Sequence, residues 1–186
     1  MKYSPLTTDR LILREFRELD WKAVHEYASD PEVVRYIVWG PNTEKESQDS
    51  VRQAIRHQQE KPRKHYEFAM VLKEDNRLVG DCGIDIPYPE SQNGAIYFLL
   101  SRHFWRKGYA TEAALALLSF GFGQLKLHRI FSKCHTENTA CIHILERIGM
   151  RREGHFRDYE QIDGKWCDTF WHAILDDEWQ TVSRES

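Results

Sequence analysis

The order of apolar runs predicts an α+β fold, an α/β arrangement in three layers. Its core is one mixed, largely antiparallel sheet of about seven strands with helices on both faces. Three observations carry this expectation. Short runs rich in β-branched and aromatic residues, bounded by turn residues, supply the strands. Segments whose apolar residues recur three and four apart supply the helices. A strand, turn, helix, strand succession in the second half requires a parallel crossover, whereas the strands around it join through short turns. At 186 residues, with no linker, repeat or low-complexity tract, the chain reads as a single domain over 1–186.

Residues 6–16 read as the first strand, with Leu11 and Leu13 alternating with Arg10, Ile12 and Arg14. Asp20 is placed to cap a helix whose apolar face is Trp21, Val24, Tyr27 and Ala28, ending before Asp30-Pro31. Pro31 opens a short helical turn carrying Val33, Val34 and Ile37, and Trp39-Gly40-Pro41 breaks it. Thr43-Glu44-Lys45-Glu46 has the form of a capping box and starts a mostly polar helix to about Gln59, with Val51 and Ile55 inward.

Residues 66–72 and 78–86 form an antiparallel pair across the Asp75-Asn76 turn, with Gly80 and Gly83 marking bulges or close backbone approach. After the loop at 87–94 come a strand over 96–100, a helix over 109–125 and a strand over 128–134. A helix beginning near Thr139 turns Ala140, Ile144, Leu145 and Ile148 inward and stops at Gly149. Residues 159–162 and 166–175 make a hairpin around Asp163-Gly164. The last dozen residues read as a short polar tail.

Composition excludes several classes. A net charge of −3 argues against a general nucleic-acid binder, which needs a clustered basic excess. No apolar run approaches a membrane span, and the first residues lack the apolar core of a signal peptide, so a cytoplasmic protein is expected. The four cysteines are scattered, and in a reducing compartment none is expected to pair. Cys134, His135, Cys141 and His143 match no standard zinc spacing, and adjacent residues on a strand point to opposite faces, so no metal is expected.

The most informative stretch is Trp105-Arg106-Lys107-Gly108-Tyr109-Ala110-Thr111-Glu112, between a buried-type strand and a helix start. Free backbone N–H groups and the positive end of the helix dipole converge at such a corner. Gly108 permits close backbone approach, and Arg106 and Lys107 add countercharge. The stretch lacks the Gly-Lys-Ser/Thr ending of a P-loop and the three glycines of a dinucleotide fingerprint.

Taken with Thr8-Asp9-Arg10-Leu11-Ile12-Leu13-Arg14 at the start, Glu137-Asn138-Thr139-Ala140 leading to Ile148-Gly149-Met150, and the closing hairpin with Arg157-Asp158 and Asp163-Gly164, this loop resembles the GNAT superfamily of acetyl-CoA-dependent N-acetyltransferases. The nearest likeness is to its RimJ/RimL-type branch, which acetylates protein N-termini and small amines. The resemblance implies the GNAT-type sheet. It also implies acetyl-CoA as co-substrate, an amine acceptor (an N-terminal peptide or a small amine), and a monomer or homodimer without nucleic-acid or membrane partners. Backbone groups of Arg106, Lys107, Gly108, Tyr109, Ala110 and Thr111 would hold the pyrophosphate. Phe98, Leu99 and Leu100 would flank the pantetheine arm, with Asn138 on the opposite wall.

For catalysis the resemblance leaves gaps. The acid that many relatives carry before the loop falls at Ala95, and Leu145 stands where the broad family often has a proton-donating tyrosine. Cys141 matches the serine of the RimL-like branch, and a thiol can protonate a departing thiolate. It equally suits a small buried position. Glu160 and Asp158 are the candidate bases, with Asp85 a more distant choice. The expected reaction is direct attack of a primary amine on the acetyl thioester. The alternative is a non-catalytic acetyl-CoA-binding or interaction module on the same fold.

Overall fold

A computed structural model of the chain describes residues 4–182. In order, it contains β1 (Leu6–Thr7), β2 (Leu11–Arg14), α1 (Trp21–Ala28), α2 (Pro31–Val34), α3 (Glu44–His57), β3 (His65–Leu72), β4 (Leu78–Asp85) and β5 (Asn93–Leu100). Then follow α4 (Tyr109–Gly123), β6 (Arg129–His135), α5 (Thr139–Arg147), β7 (Arg151–Ile162), β8 (Lys165–Leu175) and α6 (Asp176–Val182). The strands form one eight-stranded sheet in the order β1-β2-β3-β4-β5-β6-β8-β7. Every neighbouring pair is antiparallel except β5 and β6, which are parallel and joined through α4. Among the described residues no helix is long and apolar enough to cross a membrane.

Alternation along the central strands builds two cores. Phe68, Met70 and Leu72 of β3 point to one face, where they meet Leu117, Leu118 and Phe120 of α4. Ala69 and Val71 point to the other, against Val24 and Tyr27 of α1 and Val51 of α3. This is why β3 is buried almost continuously rather than every second residue.

Four sequence expectations need correction. The first strand is two: Thr8 Oγ1 accepts from Leu11 N at 2.9 Å, closing a turn that folds β1 back on β2. Asp20 does not cap α1, because its carboxylate takes the Arg14 guanidinium at 2.6 and 2.8 Å and the Arg17 N–H at 2.8 Å. β7 starts at Arg151, well before residue 159. As an edge strand exposed over most of its length, it has no apolar alternation to reveal it. The expected polar tail contains α6, where Trp179 stacks on Phe122 with centroids 6.2 Å apart, Glu178 pairs with Arg151, and Asp176 N donates to His128 O at 3.0 Å.

Other local signals act as read. Thr43 and Glu46 make the reciprocal capping box, with Thr43 N donating to Glu46 Oε2 at 2.8 Å and Glu46 N to Thr43 Oγ1 at 3.3 Å. Asp163 and Gly164 both take positive φ, 48° and 74°, as the tight two-residue hairpin turn requires.

Gly80 marks both features anticipated for it. It lies opposite a register shift between Met70 and Val71, and a Cβ on it would stand 2.2 Å from Leu99 O and 2.9 Å from Leu100 Cα. Main-chain atoms of a central strand cannot step aside. Gly80→Ala is therefore expected to lower the unfolding free energy by about 1–3 kcal/mol, as overpacking does. Urea titration should show an earlier midpoint at unchanged slope; an unchanged midpoint would contradict the close approach of β4 and β5.

Candidate active site

β5 and β6 pair only at Asn93–Ala95 with Arg129–Phe131, then separate, although β5 continues to Leu100 and β6 to His135. β5 stays bound to β4 throughout. Ser101 N donates to Val79 O at 2.8 Å, so by strand alternation the N–H and C=O groups of Leu100 and Phe98 face away from β4, into the gap. One of these groups has a partner: the Trp105 indole donates to Leu100 O at 2.7 Å. A cleft of about 1450 Å³ occupies the gap and runs on beneath α1, α2 and α3. A smaller cleft of about 430 Å³ lies between α4 and Trp179 and contains none of the candidate residues.

At one end of the large cleft stands the N-terminus of α4. Gly108 occupies its cap position at φ 81°, no side chain caps it, and the first intrahelical bond runs from Glu112 N to Gly108 O at 3.0 Å. The N–H groups of Tyr109, Ala110 and Thr111, which precede that bond, are thus left for an anion. Arg106, also at positive φ, Gly108, Tyr109, Ala110 and Thr111 line the cleft. Lys107 does not: its ammonium lies 5.2 Å from the centre of the Phe104 ring, and its carbonyl accepts from Arg10 at 2.8 Å.

The first hairpin braces this loop. Arg10 donates to Glu112 through its backbone N at 2.8 Å and its Nε at 2.7 Å, and its guanidinium lies over the Tyr109 ring at 4.5 Å. The Thr8 hydroxyl adds a third bond to Glu112. Partial burial alone would raise the Glu112 carboxyl, but these hydrogen bonds outweigh it and hold the group below the ordinary glutamate range.

The opposite wall is the start of α5. Asn138 Oδ1 accepts from Cys141 N at 3.1 Å, so Asn138 is the helix cap as well as a lining residue. Ala140 and Ile144, expected to face inward, instead line the cleft, while Leu145 and Ile148 are buried. The Cys141 thiol touches Cys134, and that contact together with burial pushes it well above the usual thiol range. It stays protonated at neutral pH, where it can donate but cannot serve as a base.

The hairpin acids separate. Glu160 lines the cleft and is held by the Lys133 ammonium. Asp158 is exposed in a bulge at φ 48°, its N–H donates to Asp168 at 3.0 Å, and it lies apart from the residues that line the cleft. Asp85 lines the cleft, with its Oδ1 2.8 Å from His65 Nδ1.

Asp81 was not anticipated. It lies on β4 opposite Leu99, deep among protein atoms but still partly accessible through the cleft it lines. Tyr27 OH donates to its Oδ1 at 2.7 Å. Burial raises its pKa to about 7, the Tyr27 bond works the other way, and the nearby Glu67 charge adds to the rise. The sequence signal was an acid between Gly80 and Cys82, in the middle of a strand whose other acid, Asp85, stands at its end.

A parallel pair of strands parts beside an uncapped helix N-terminus, over a long cleft that offers free main-chain groups and helix N–H groups to an extended anionic ligand. A family model described as an acetyltransferase (GNAT) domain matches residues 10–151, and the chain belongs to that family. The uncharacterized N-acetyltransferase YnaD of Bacillus subtilis is 36% identical over 174 residues, which cover 94% of this chain and 98% of YnaD. The crystal structure of a GNAT-family acetyltransferase from Bacillus anthracis matches at a TM-score of 0.83 and 36% identity, covering 94% of this chain and 99% of that one. A spermidine N-acetyltransferase of Vibrio cholerae, solved with CoA and spermine, shares the fold at a TM-score of 0.80 and 20% identity, with 91% and 98% covered. The chain is an N-acetyltransferase, and acetyl-CoA is its acetyl donor.

Because folding raises the Asp81 pKa, stability from its bound proton is complete below the ordinary aspartate value. It is lost as pH rises from there through about 7. The thermal midpoint of wild type minus that of Asp81→Asn is therefore expected to fall between pH 5 and pH 8, with Asp81→Asn the more stable at pH 8. A difference independent of pH in scanning calorimetry would show that Asp81 ionises normally.

Proposed function

We propose that this enzyme moves the acetyl group of acetyl-CoA to a primary amine on a cationic acceptor, by direct attack and with Asp81 as the base. The carrying observation is that Asp81, a carboxyl whose pKa burial raises to about 7, lies in the cleft, on the strand paired with the splayed β5. In this reading the amides from Arg106 to Thr111, with the Arg106 side chain, hold the diphosphate. The inward main-chain groups of Phe98 and Leu100 bind the amide-bearing arm as a partial strand, as the gap supports, while Leu99 lies on the β4-facing alternation. Asn138 and Cys141 flank the arm from α5.

Asp81 receives a proton from the amine, directly or through water, as the amine nitrogen bonds to the acetyl carbon. The carbon–sulfur bond breaks and sulfur leaves as thiolate. The Cys141 thiol, lining the same cleft, donates a hydrogen bond to that sulfur. With its pKa raised, full proton transfer from Cys141 to an ordinary thiolate is uphill, so solvent completes the step. Glu67, Asp81 and Asp85 make the acceptor side acidic, which favours a cationic amine. The RimJ/RimL-like placement, with protein N-termini or small amines as acceptors, rests on the Trp105-led loop and the Glu137-Asn138-Thr139-Ala140 motif.

Thiol release from acetyl-CoA with a panel of N-terminal peptides, polyamines and aminoglycosides tests this. An acceptor should be found whose kcat falls by about 10²–10⁴ in Asp81→Asn, the range for loss of a general base, while the KM for acetyl-CoA stays within about twofold. The acidic limb of wild-type kcat/KM should have an apparent pKa near 7 and be absent from the variant. If Glu160→Gln gives that loss and Asp81→Asn does not, the base belongs to the hairpin. Tight CoA binding with no release from any acceptor would favour the non-catalytic module.

A further inference from the structure

On the acceptor side of the cleft the sheet register gives Tyr97 a central place. Tyr97 of β5 pairs with Gly83 of β4, which pairs in turn with Glu67 of β3. The neighbouring rows are Leu99–Asp81–Ala69 and Ala95–Asp85–His65. Paired residues, and residues two apart on a strand, share a face. Tyr97, Glu67, Asp81 and Asp85 therefore all stand on the face that Ala69 turns toward α1 and α3. Gly83 has no side chain, and the Tyr97 ring fills that space. A Cβ on Gly83 would stand 2.7 Å from Tyr97 Oη and 2.8 Å from its Cε1. The phenol thus reaches across β4, with its oxygen in the row between those of Asp81 and Asp85.

β5 lines the cleft over residues 95–100, and Tyr97 carries the only polar side chain in that run. The residue is partly buried, yet among the described residues its hydroxyl has no hydrogen-bond partner. The Tyr27 hydroxyl, by contrast, is committed to Asp81 Oδ1. Burial and the charges of Asp81, Glu67 and Asp85 hold the Tyr97 phenol well above the ordinary tyrosine range, so it remains an O–H at neutral pH. It cannot serve there as a base, but its oxygen can accept a hydrogen bond.

Resting on the reading of Asp81 as base, we propose that the Tyr97 hydroxyl accepts a hydrogen bond from the attacking amine and so selects primary over secondary amines. A neutral primary amine has two N–H groups and one lone pair. Attack turns the lone pair to the acetyl carbon, and the two N–H groups then need acceptors on the other side. Asp81 is one, since Tyr27 occupies its Oδ1 and leaves Oδ2. That N–H gives its proton to Asp81 as the nitrogen–carbon bond forms and the carbon–sulfur bond breaks. Tyr97 Oη is the other, and the N–H it meets stays in the amide product. N–H bonds of about 2.9 Å diverging tetrahedrally end on acceptors about 4.7 Å apart, within reach of side chains in adjacent rows. A secondary amine has a single N–H, which Asp81 must have, and its second substituent then meets an unpaired hydroxyl.

The test compares each amine that releases thiol from acetyl-CoA with its N-methyl counterpart. The first pairs are 1,4-diaminobutane with N,N′-dimethyl-1,4-diaminobutane, and an alanine-led peptide with its N-methylalanine form. Wild type should favour the primary member in kcat/KM by about 10–100-fold, the loss expected of a hydrogen bond to a developing charge. Tyr97→Phe keeps the ring over Gly83 and should lower kcat/KM for the primary member by a similar factor. It should leave the methylated member, and the KM for acetyl-CoA, within about twofold of wild type. A residue that only packs against Gly83 would affect both members alike. Equal use of the two members by wild type overturns the proposal, and needs no variant should Tyr97→Phe fold poorly by circular dichroism. An equal effect of Tyr97→Phe on both members overturns it too, as does thiol release from no amine. Asp81→Asn separates the two readings. If it keeps full activity while Tyr97→Phe acts on the primary member alone, the base is elsewhere and the Tyr97 contact stands. If it loses activity while Tyr97→Phe spares both members, the base stands and the Tyr97 contact falls.

Discussion

The separation of β5 from β6 is the constraint on which the rest of the structure depends. A central strand that loses its neighbour exposes main-chain donors and acceptors, and these need partners. This fold supplies one from within, the Trp105 indole on Leu100 O, and leaves the inward groups of Phe98 and Leu100 N facing an open slot. A ligand bearing amides along an extended arm satisfies such an edge as a strand would. The continuity of β4 with β5 makes the separation possible. Gly80 lets those strands approach closely, and β5 stays fixed on one side while it is free on the other.

The diphosphate end needs its own electrostatic correction. Glu112 sits in the first turn of α4, where its charge suits the helix dipole but opposes a bound anion. Arg10 compensates that charge through two hydrogen bonds and also holds Lys107 O, so the hairpin at the chain's start sets both the shape of the loop and its net field. The β1–β2 turn closed by Thr8 therefore braces the loop that the proposed reading gives to the diphosphate, although it lies about a hundred residues away in sequence.

What was legible in the sequence was whatever local chemistry dictates. The Thr43–Glu46 box, the Asp163-Gly164 turn and the amphipathic α5 need only neighbours along the chain. The phosphate-type corner at Gly108 was visible for the same reason. The exposed edge strand from Arg151 and the α6 helix were not, because one is polar on nearly all sides and the other is short, acidic at its start and held by residues distant in sequence. The end of the cleft formed by the α4 and α5 starts was readable as a candidate because it is built from two contiguous stretches. The far end was not, since Tyr27, His57, His65, Glu67 and Asp81 come from four elements and meet only once the sheet has formed. Asp158 and Glu160 attracted attention as acids near a hairpin. Register decides between them: the bulge turns Asp158 outward and leaves Glu160 on the cleft, bound to Lys133.

The acceptor side also behaves as one electrostatic unit. Asp81 stands near pH 7 through a balance in which burial dominates, Tyr27 opposes it, and the Glu67 charge adds to it. Glu67 is in turn held by His57 at 2.7 Å. The His57–Glu67 pair therefore reaches the Asp81 carboxyl without touching it, because fixing the Glu67 charge fixes part of the rise. In the proposed reaction that balance would leave the carboxyl able to take a proton from an amine near neutral pH.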